Sequence, residues 1–422
     1  MKNNTAFRIV LIILISALFG YYIGVNKVAV DWKNYKPKIS ISSKEPPSVL
    51  TNIDFSLFWT VWDKLSLDYY DKSKLDSQKM LNGAISGMIQ SLGDPYTVYL
   101  PKVQNNNFKE GLAGQFSGIG AELGMKDKDI IVIAPLNGSP AEKAGIKPGD
   151  TILKVDKETI AGWSLQQAVS KIRGEKGTPV TLTLVHKDAT SPSEITIVRD
   201  IITIKSVDGW IKPWKIENGR WKIDEECKNC AEVAYIQLSQ FGDATNQDWT
   251  NLINKLNLRI QQNKNVKGLV LDLRNNPGGY LTDAVFIASE FLKQGQPVVI
   301  EDRGEKGQKT LSVSRKGTLY DTPLVVLMNK GSASASEIVA AALKDNKRAI
   351  LIGEVSFGKG TIQQAEDLGD GVGLHVTIAK WLTPKGIWIN GEGLKPDIQI
   401  ALDPKDPTKD TQLEKAVEEL IK

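Results

Sequence analysis

The chain has 422 residues, enough for two or three domains with separate cores, and its 41% apolar and 24% charged residues are ordinary for a globular protein. A net charge of +4 over that length does not bear on nucleic acid, and without a lysine or arginine stripe interleaved with aromatics a nucleic-acid-binding design is set aside. The two cysteines, Cys227 and Cys230, form a lone CKNC without a second pair or nearby histidines; a local disulfide or two loop thiols is expected, and no metal or cofactor.

Residues 9–25, IVLIILISALFGYYIGV, carry no charge and, at ~1.5 Å per residue, nearly cross a ~30 Å hydrocarbon layer. Lys2 and Arg8 precede the run, and Tyr21 and Tyr22 fall near its far end, where aromatic residues favour the interface. The expectation for residues 1–30 is a single-pass membrane anchor. Its rival is a cleaved signal peptide, with Ala29 a weak cleavage candidate. Either reading places the rest of the chain outside the cytoplasm. Residues 31–52 lack periodicity and read as a tether.

Residues 53–105 read as a small helical segment. Phe55, Phe58, Trp59 and Trp62 follow i, i+3, i+4, i+7 spacing, an apolar stripe expected to be core. A second helix, SQKMLNGAISGMIQSL, ends at Gly93, and GDPYTVYLP is a turn with an extended exit.

Residues 106–204 hold short β runs and one helix between two glycine-rich turns. With SPAEKAGIKPGDTILKVD as its helix-turn-strand, the segment resembles a PDZ domain, in the permuted strand order of bacterial proteases. Such a module adds a peptide C-terminus to a sheet edge, and consecutive N–H groups of a glycine loop hold the terminal carboxylate. SGIGAEL supplies that loop, which makes the backbones of Ile119, Gly120 and Ala121 the candidate contacts. Arg173, at the end of the PDZ helix, is a candidate regulatory contact with the neighbouring domain; a solvated arginine favourable to the helix dipole is the plainer reading.

Residues 205–232 hold three tryptophans and read as a β-hairpin of unassigned function. From 233 onward, nearly all-apolar β runs alternate with helices, as strands buried on both faces do. A final amphipathic helix spans 411–421.

Within this core, LVVLMNKGSASASEI carries a buried strand through a turn into a helix that begins near Ala335. Ser334 and Glu337 fit a capping box, so a plain helix cap is one reading of Ser334. The same place suits a nucleophile, because helix-start N–H groups point at developing negative charge. A base is then needed. His375 lies inside a strand and His186 in the PDZ segment, neither with an Asp partner at a recognisable motif, so both read as ordinary strand residues. Lys359, between glycines in SFGKGTIQ, stands 25 residues after Ser334.

GSASASEI, the strand RAILIGE, SFGKGTIQ and DLRNNPGG together resemble the carboxyl-terminal processing protease family of tail-specific serine peptidases. The resemblance covers nearly the whole chain and implies an α+β multidomain protein. Its parts are the helical N-terminal segment, a permuted, β-barrel-like PDZ domain, an α/β protease core over 205–402 related to the ClpP and crotonase folds, and a C-terminal helix within 403–422. It also implies roles: Ser334 as nucleophile, Lys359 as general base, Gln363 orienting the lysine, and N–H groups of Ala335 and of Gly278 or Gly279 as the oxyanion hole. Ser332 and Ser336 are left with turn and first-helical-turn roles.

The implied function is a serine endopeptidase that docks C-terminal tails of exported proteins on its PDZ domain and cuts upstream through an acyl-enzyme. Its partners are protein or peptide substrates with free C-termini and the membrane through the N-terminal helix, with no nucleic acid; a homo-oligomer is left open. The alternatives are a membrane-tethered PDZ scaffold with an inactive core and a crotonase-type acyl-CoA enzyme. The first is disfavoured because Ser334, Lys359 and Gln363 are all in place, the second by export and by the PDZ unit.

A free lysine titrates near ~10.4, so roughly one in a few thousand is a neutral amine at pH 7. Burial without a carboxylate partner lowers this by up to ~3–5 units, which is how lysine can do a histidine's work. Gln363 offers an amide oxygen that can hold the amine without charging it.

Overall fold

The computed structural model describes residues 11–18, 20–21, 28–33, 36–41 and 54–422, apart from 127–128, 137, 187–188, 190, 204 and 403–408. The chain forms two compact units, Met1–Met80 and Leu81–Lys422.

In the first unit, β1 (Val28–Lys33) and β2 (Lys36–Ile41) pair antiparallel where an aperiodic tether is expected. VAVDWK and KISI alternate in the strand period, and that local pattern is what the overall tether-like composition hides. Helix α1 (Ser56–Asp68) follows. Its aromatic stripe is not core: α1 has no buried residue, and Trp59 is 57% exposed. Phe58, Trp59 and Trp62 instead pack on one another along the helix, with ring centroids 5.1 to 6.4 Å apart.

The expectation of a membrane anchor is corrected. Among the described residues no helix is long and apolar enough to cross a membrane. Of residues 9–25, those described as helical are 11–18 and 20–21; the other seven positions lie outside the described residues.

Helix α2 (Ser77–Gln90), strand β3 (Val98–Leu100) and helix α3 (Lys102–Leu112) lead into a smaller β unit. Its chain runs β4 (Gln115–Gly118), β5 (Ala121–Lys126), β6 (Asp129–Pro135), the single turn of α4 (Pro140–Lys143), β7 (Thr151–Val155), β8 (Glu158–Thr159), α5 (Leu165–Ile172), β9 (Pro179–Val185), β10 (Ser193–Val198) and β11 (Asp200–Thr203). Sheet order is β10-β9-β7-β6-β5, with β8 on β7, and β4 pairs separately with β11. Val132, Val155, Val180, Leu182 and Leu184 fill its core, and Ser164 and Gln167 close a capping box on α5. This sheet leaves β5 as an edge strand beside α5.

The larger unit runs from β12 (Val207–Glu217) and β13 (Arg220–Ile223) through β14 (Ala231–Leu238), α6 (Thr245–Gln262), β15 (Val266–Asp272), α7 (Leu281–Phe291), β16 (Pro297–Asp302), β17 (Gln308–Ser312), β18 (Leu324–Met328), α8 (Ala335–Asp345), β19 (Ile350–Gly353), β20 (Thr361–Gly369), β21 (Val372–Leu382) and β22 (Ile398–Gln399) to α9 (Thr411–Ile421). Its main sheet has the order β13-β12-β14-β15-β18-β19-β22, parallel from β14 onward. The all-apolar runs have two buried faces because side chains alternate. Leu324, Val326 and Met328 of β18 face the core of α6, α7 and α8, while Val325 and Leu327 face Ala416 and Val417 of α9. The expected hairpin at 205–232 is β12–β13. Trp210 stacks on Tyr235 at 4.8 Å, and Cys227–Cys230 is a disulfide in the loop that follows. A second sheet, β17-β16-β21-β20, receives β3 on the edge of β21.

Because β15 and β18 run parallel and side by side, the loops after them, DLRNNPGG and NKGSASAS, leave the sheet at the same end. In an open parallel sheet, that carboxyl end is where a site is assembled.

Candidate active site

Ser334 starts α8 with φ 55° and ψ −116°. Ordinary N-caps sit in the β region, and a non-glycine residue held at positive φ costs ~1–3 kcal/mol, a strain that concentrates at strand-to-helix nucleophile turns. The turn is held from outside. Ser332 Oγ donates to Leu273 O at 2.8 Å and accepts from Asn329 N–H at 2.9 Å. Ala333 N–H donates to Asn276 O at 2.9 Å, and Ser336 Oγ reaches the same carbonyl at 3.0 Å. Ser332 and the Ala333 N–H therefore fasten the GSASAS turn to the DLRNNPGG loop, while the Ser336 hydroxyl lies between Asn276 O and, at 2.8 Å, Ala333 O of its own turn.

Gly278, at φ 94°, is required by this approach: a Cβ there would lie 2.8 Å from Ser334 Cβ and 2.9 Å from Ala335 N. Its own N–H donates to Asn276 Oδ1 at 2.8 Å. Among the described residues, neither Gly279 N–H nor Ala335 N–H donates to a protein acceptor.

Lys359 lies in the loop between β19 and β20. The link to Ser334 is Glu337, which is fully buried. Its Oε2 accepts Ser334 N–H at 2.7 Å and Lys359 N–H at 3.0 Å; its Oε1 accepts Gly358 N–H at 2.7 Å and the Ser356 hydroxyl. One carboxylate thus ties the two loops together. The capping-box spacing marks Glu337 in the sequence, but only for its first bond. Two indoles pin the lysine loop from the far side: Trp381 Nε1 donates to Lys359 O at 2.7 Å and Trp388 Nε1 to Gly360 O at 2.8 Å.

The Lys359 amine forms no ion pair among the described residues, and its Nζ lies 5.1 Å from the centroid of the Tyr96 ring. Burial pushes it below the ordinary lysine range, against the opposing pull of the Asp94 and Glu337 carboxylates. Gln363, on β20, donates from Nε2 to Thr361 Oγ1 at 2.8 Å and Thr377 Oγ1 at 3.1 Å.

The histidines lie elsewhere in the network. His375 sits in β21, 8% exposed, its ring edge-on to Phe108 at 4.4 Å, and burial lowers its pKa. His186 has an acidic partner: its Nδ1 lies 3.0 Å from both oxygens of Asp150. The strand pairing of β7 with β9 brings the two together across the PDZ-like sheet, and no sequence motif announces it.

Residues 232–400 match peptidase family S41, residues 108–185 the PDZ domain, and residues 13–103 the N-terminal domain of the activating protease CtpB. The carboxy-terminal processing protease CtpA of Bacillus subtilis (strain 168) is 38% identical over 341 residues, 81% of this chain and 68% of that one. The chain belongs to the carboxy-terminal processing protease family. CtpB of the same organism is 36% identical over 385 residues, covering 90% of this protease and 74% of its relative. Among solved structures, the photosystem II D1 C-terminal processing protease is 32% identical with a TM-score of 0.51, covering 85% of this chain and 96% of that one. A putative S41 protease from Bacteroides fragilis, at 18% identity and a TM-score of 0.55, shares the fold.

In the PDZ domain of this protease, Ile119 O accepts Ala141 N–H at 2.8 Å and Gly120 O accepts Leu136 N–H at 2.9 Å. Among the described residues, the Ile119 and Gly120 N–H groups donate to no protein acceptor. Gly120 has φ 73°, and a Cβ there would lie 2.5 Å from Ser139 Cβ. Ala121 opens the edge strand β5 opposite Pro135. Arg173 is exposed at the C-cap of α5, with its guanidinium 4.8 Å over the Phe116 ring of β4.

Proposed function

We propose that this serine-type peptidase works by a Ser334–Lys359 mechanism on the C-terminal tails of exported proteins, using a core of the ClpP and crotonase type. The observation that carries the reading is a desolvated lysine amine, with no counter-ion among the described residues, whose loop shares one buried carboxylate with the strained Ser334 turn. Neutral Lys359 takes the Ser334 proton as Oγ attacks the peptide carbonyl. The oxyanion is received by the N–H groups of Ala335 and Gly279, since Gly278 N–H is committed to Asn276. The resulting ammonium gives its proton to the departing amine, and water then releases the acyl-enzyme with the same lysine as base. Gln363 orients Lys359: the two threonines take its Nε2, which leaves Oε1 for the amine.

The tail carboxylate is received by the N–H groups of Ile119, Gly120 and Ala121, and the preceding residues add to β5 as a strand. The Cys227–Cys230 disulfide suits substrates that meet the enzyme in an oxidising compartment. A serine-reactive phosphonate probe should label Ser334 in the full chain, and Lys359→Arg should abolish both labelling and tail-peptide cleavage. An arginine variant that cleaves normally removes the dyad. A native enzyme that never labels supports the inactive-scaffold alternative.

A further inference from the structure

The turn and strand before the PDZ domain, residues 94–100, reach the lysine. Strand β3 pairs with β21, setting Val98 opposite His375. One hydrogen-bonded chain then runs along this seam. Asp94 accepts Tyr96 N–H at 3.0 Å and the Thr97 hydroxyl at 2.6 Å. Thr97 Oγ1 accepts Thr377 N–H at 3.0 Å, and Thr377 Oγ1 accepts Gln363 Nε2 at 3.1 Å. Thr97 is 7% exposed, so the seam is closed. Its consequence is that the Tyr96 ring faces Lys359 Nζ at 5.1 Å, within cation–π range.

A buried lysine base meets opposing demands. Desolvation must free the amine, yet the amine must still accept a proton in the transition state, and burial by itself makes it too weak a base. We propose that Tyr96 and Asp94 are positioning residues for Lys359: the ring holds the ammonium formed when the lysine takes the serine proton, and the carboxylate favours that charge without pairing to it. This rests on the Ser334–Lys359 reading. The charged and titratable groups around Lys359 are Asp94, Glu337, Tyr96 and His375. Both carboxylates favour the ammonium. The Tyr96 hydroxyl titrates above its ordinary range, through burial first and then the Glu337 and Asp94 charges, so the ring stays neutral. His375 is held toward its neutral form by burial first and by the Lys359 charge second.

The test is the pH profile of kcat/KM on a tail-bearing peptide with the full chain. Removing either group makes the ammonium less stable, so the acid limb moves to lower pH while the plateau falls. Asp94→Asn removes the charge and keeps one acceptor oxygen for Tyr96 N–H, while its amide group faces the Thr97 hydroxyl, which can turn to accept; the limb should move down by about 0.5–1 unit. Tyr96→Leu should lower kcat about 5–30-fold with KM within about twofold, and Tyr96→Phe should restore most of kcat and the limb. A merely structural tyrosine would lower thermal stability and leave the limb in place. The proposal is overturned if the limb stays put in Asp94→Asn and Tyr96→Leu, or if Tyr96→Phe is no better than leucine. Should the leucine variant not fold, Asp94→Asn decides alone. Retained cleavage in Lys359→Arg is a different failure, that of the dyad itself.

Discussion

Replacing Glu337 by glutamine changes one charge and no heavy-atom shape, yet it strikes both halves of the site. The carboxylate is fully buried and accepts four donors, two on each oxygen. A glutamine has one acceptor oxygen, so in either orientation its amide group faces two donors. If the amide replaces Oε2, Ser334 N–H and Lys359 N–H lose their acceptor; if it replaces Oε1, Gly358 N–H and the Ser356 hydroxyl do. Hydrogen bonds to charged groups contribute about 1.5–3 kcal/mol each, and relaxation of the loops recovers part of two such losses, so stability should fall by about 2–4 kcal/mol. Activity should fall further than stability explains, because a 1 Å misplacement between reacting groups costs about 10²-fold. Urea unfolding read by tryptophan fluorescence gives the first quantity, and kcat/KM on a tail peptide, under conditions where the variant is folded, gives the second. A variant that unfolds within about 0.5 kcal/mol of wild type, smaller than a single lost bond, and cleaves within fivefold would refute the bridge.

Gly278→Ala places a methyl 2.8 Å from Ser334 Cβ at φ 94°, so kcat/KM should drop about 100-fold while unfolding free energy falls by only about 1–2 kcal/mol. Activity within threefold of wild type would show that the two loops can separate freely. Gln363→Glu places a carboxylate where the proposed mechanism has the amide orient the lysine. It stabilises the ammonium, raises the Lys359 pKa and moves the acid limb of kcat/KM upward by about one unit, with about tenfold lower activity on that limb. An unmoved pH profile would take Gln363 out of the lysine's surroundings.

Several features were legible because their causes are local. All-apolar runs announce strands covered on both faces, and SPAEKAGIKPGD carries its own helix cap and turn chemistry. GSASASEI and SFGKGTIQ mark where two loops of the core must be special. The apolar run at 9–25 and the aromatic stripe of α1 were equally visible, but periodicity states only which side chains can share a face, not what lies against that face. What covers an apolar face is settled by neighbours distant in sequence, and among the described residues of its own unit nothing buries α1.

Tertiary structure decided the chemistry's details for the same reason. Glu337 looks like a helix cap until the chain returns 22 residues later with the lysine loop's N–H groups. His186 finds Asp150 across 36 residues, and the Thr97–Thr377 bond that seats Tyr96 over the lysine spans 280. Of the two glycines in NNPGG, the Gly278 N–H is committed to Asn276 Oδ1, a bond that no sequence motif announces. Sequence by itself determined which residue types meet at the carboxyl end of the sheet. The positions of partners distant in sequence determined which amine is kept dry, which N–H has no protein acceptor among the described residues, and which carboxylate joins the Ser334 turn to the Lys359 loop.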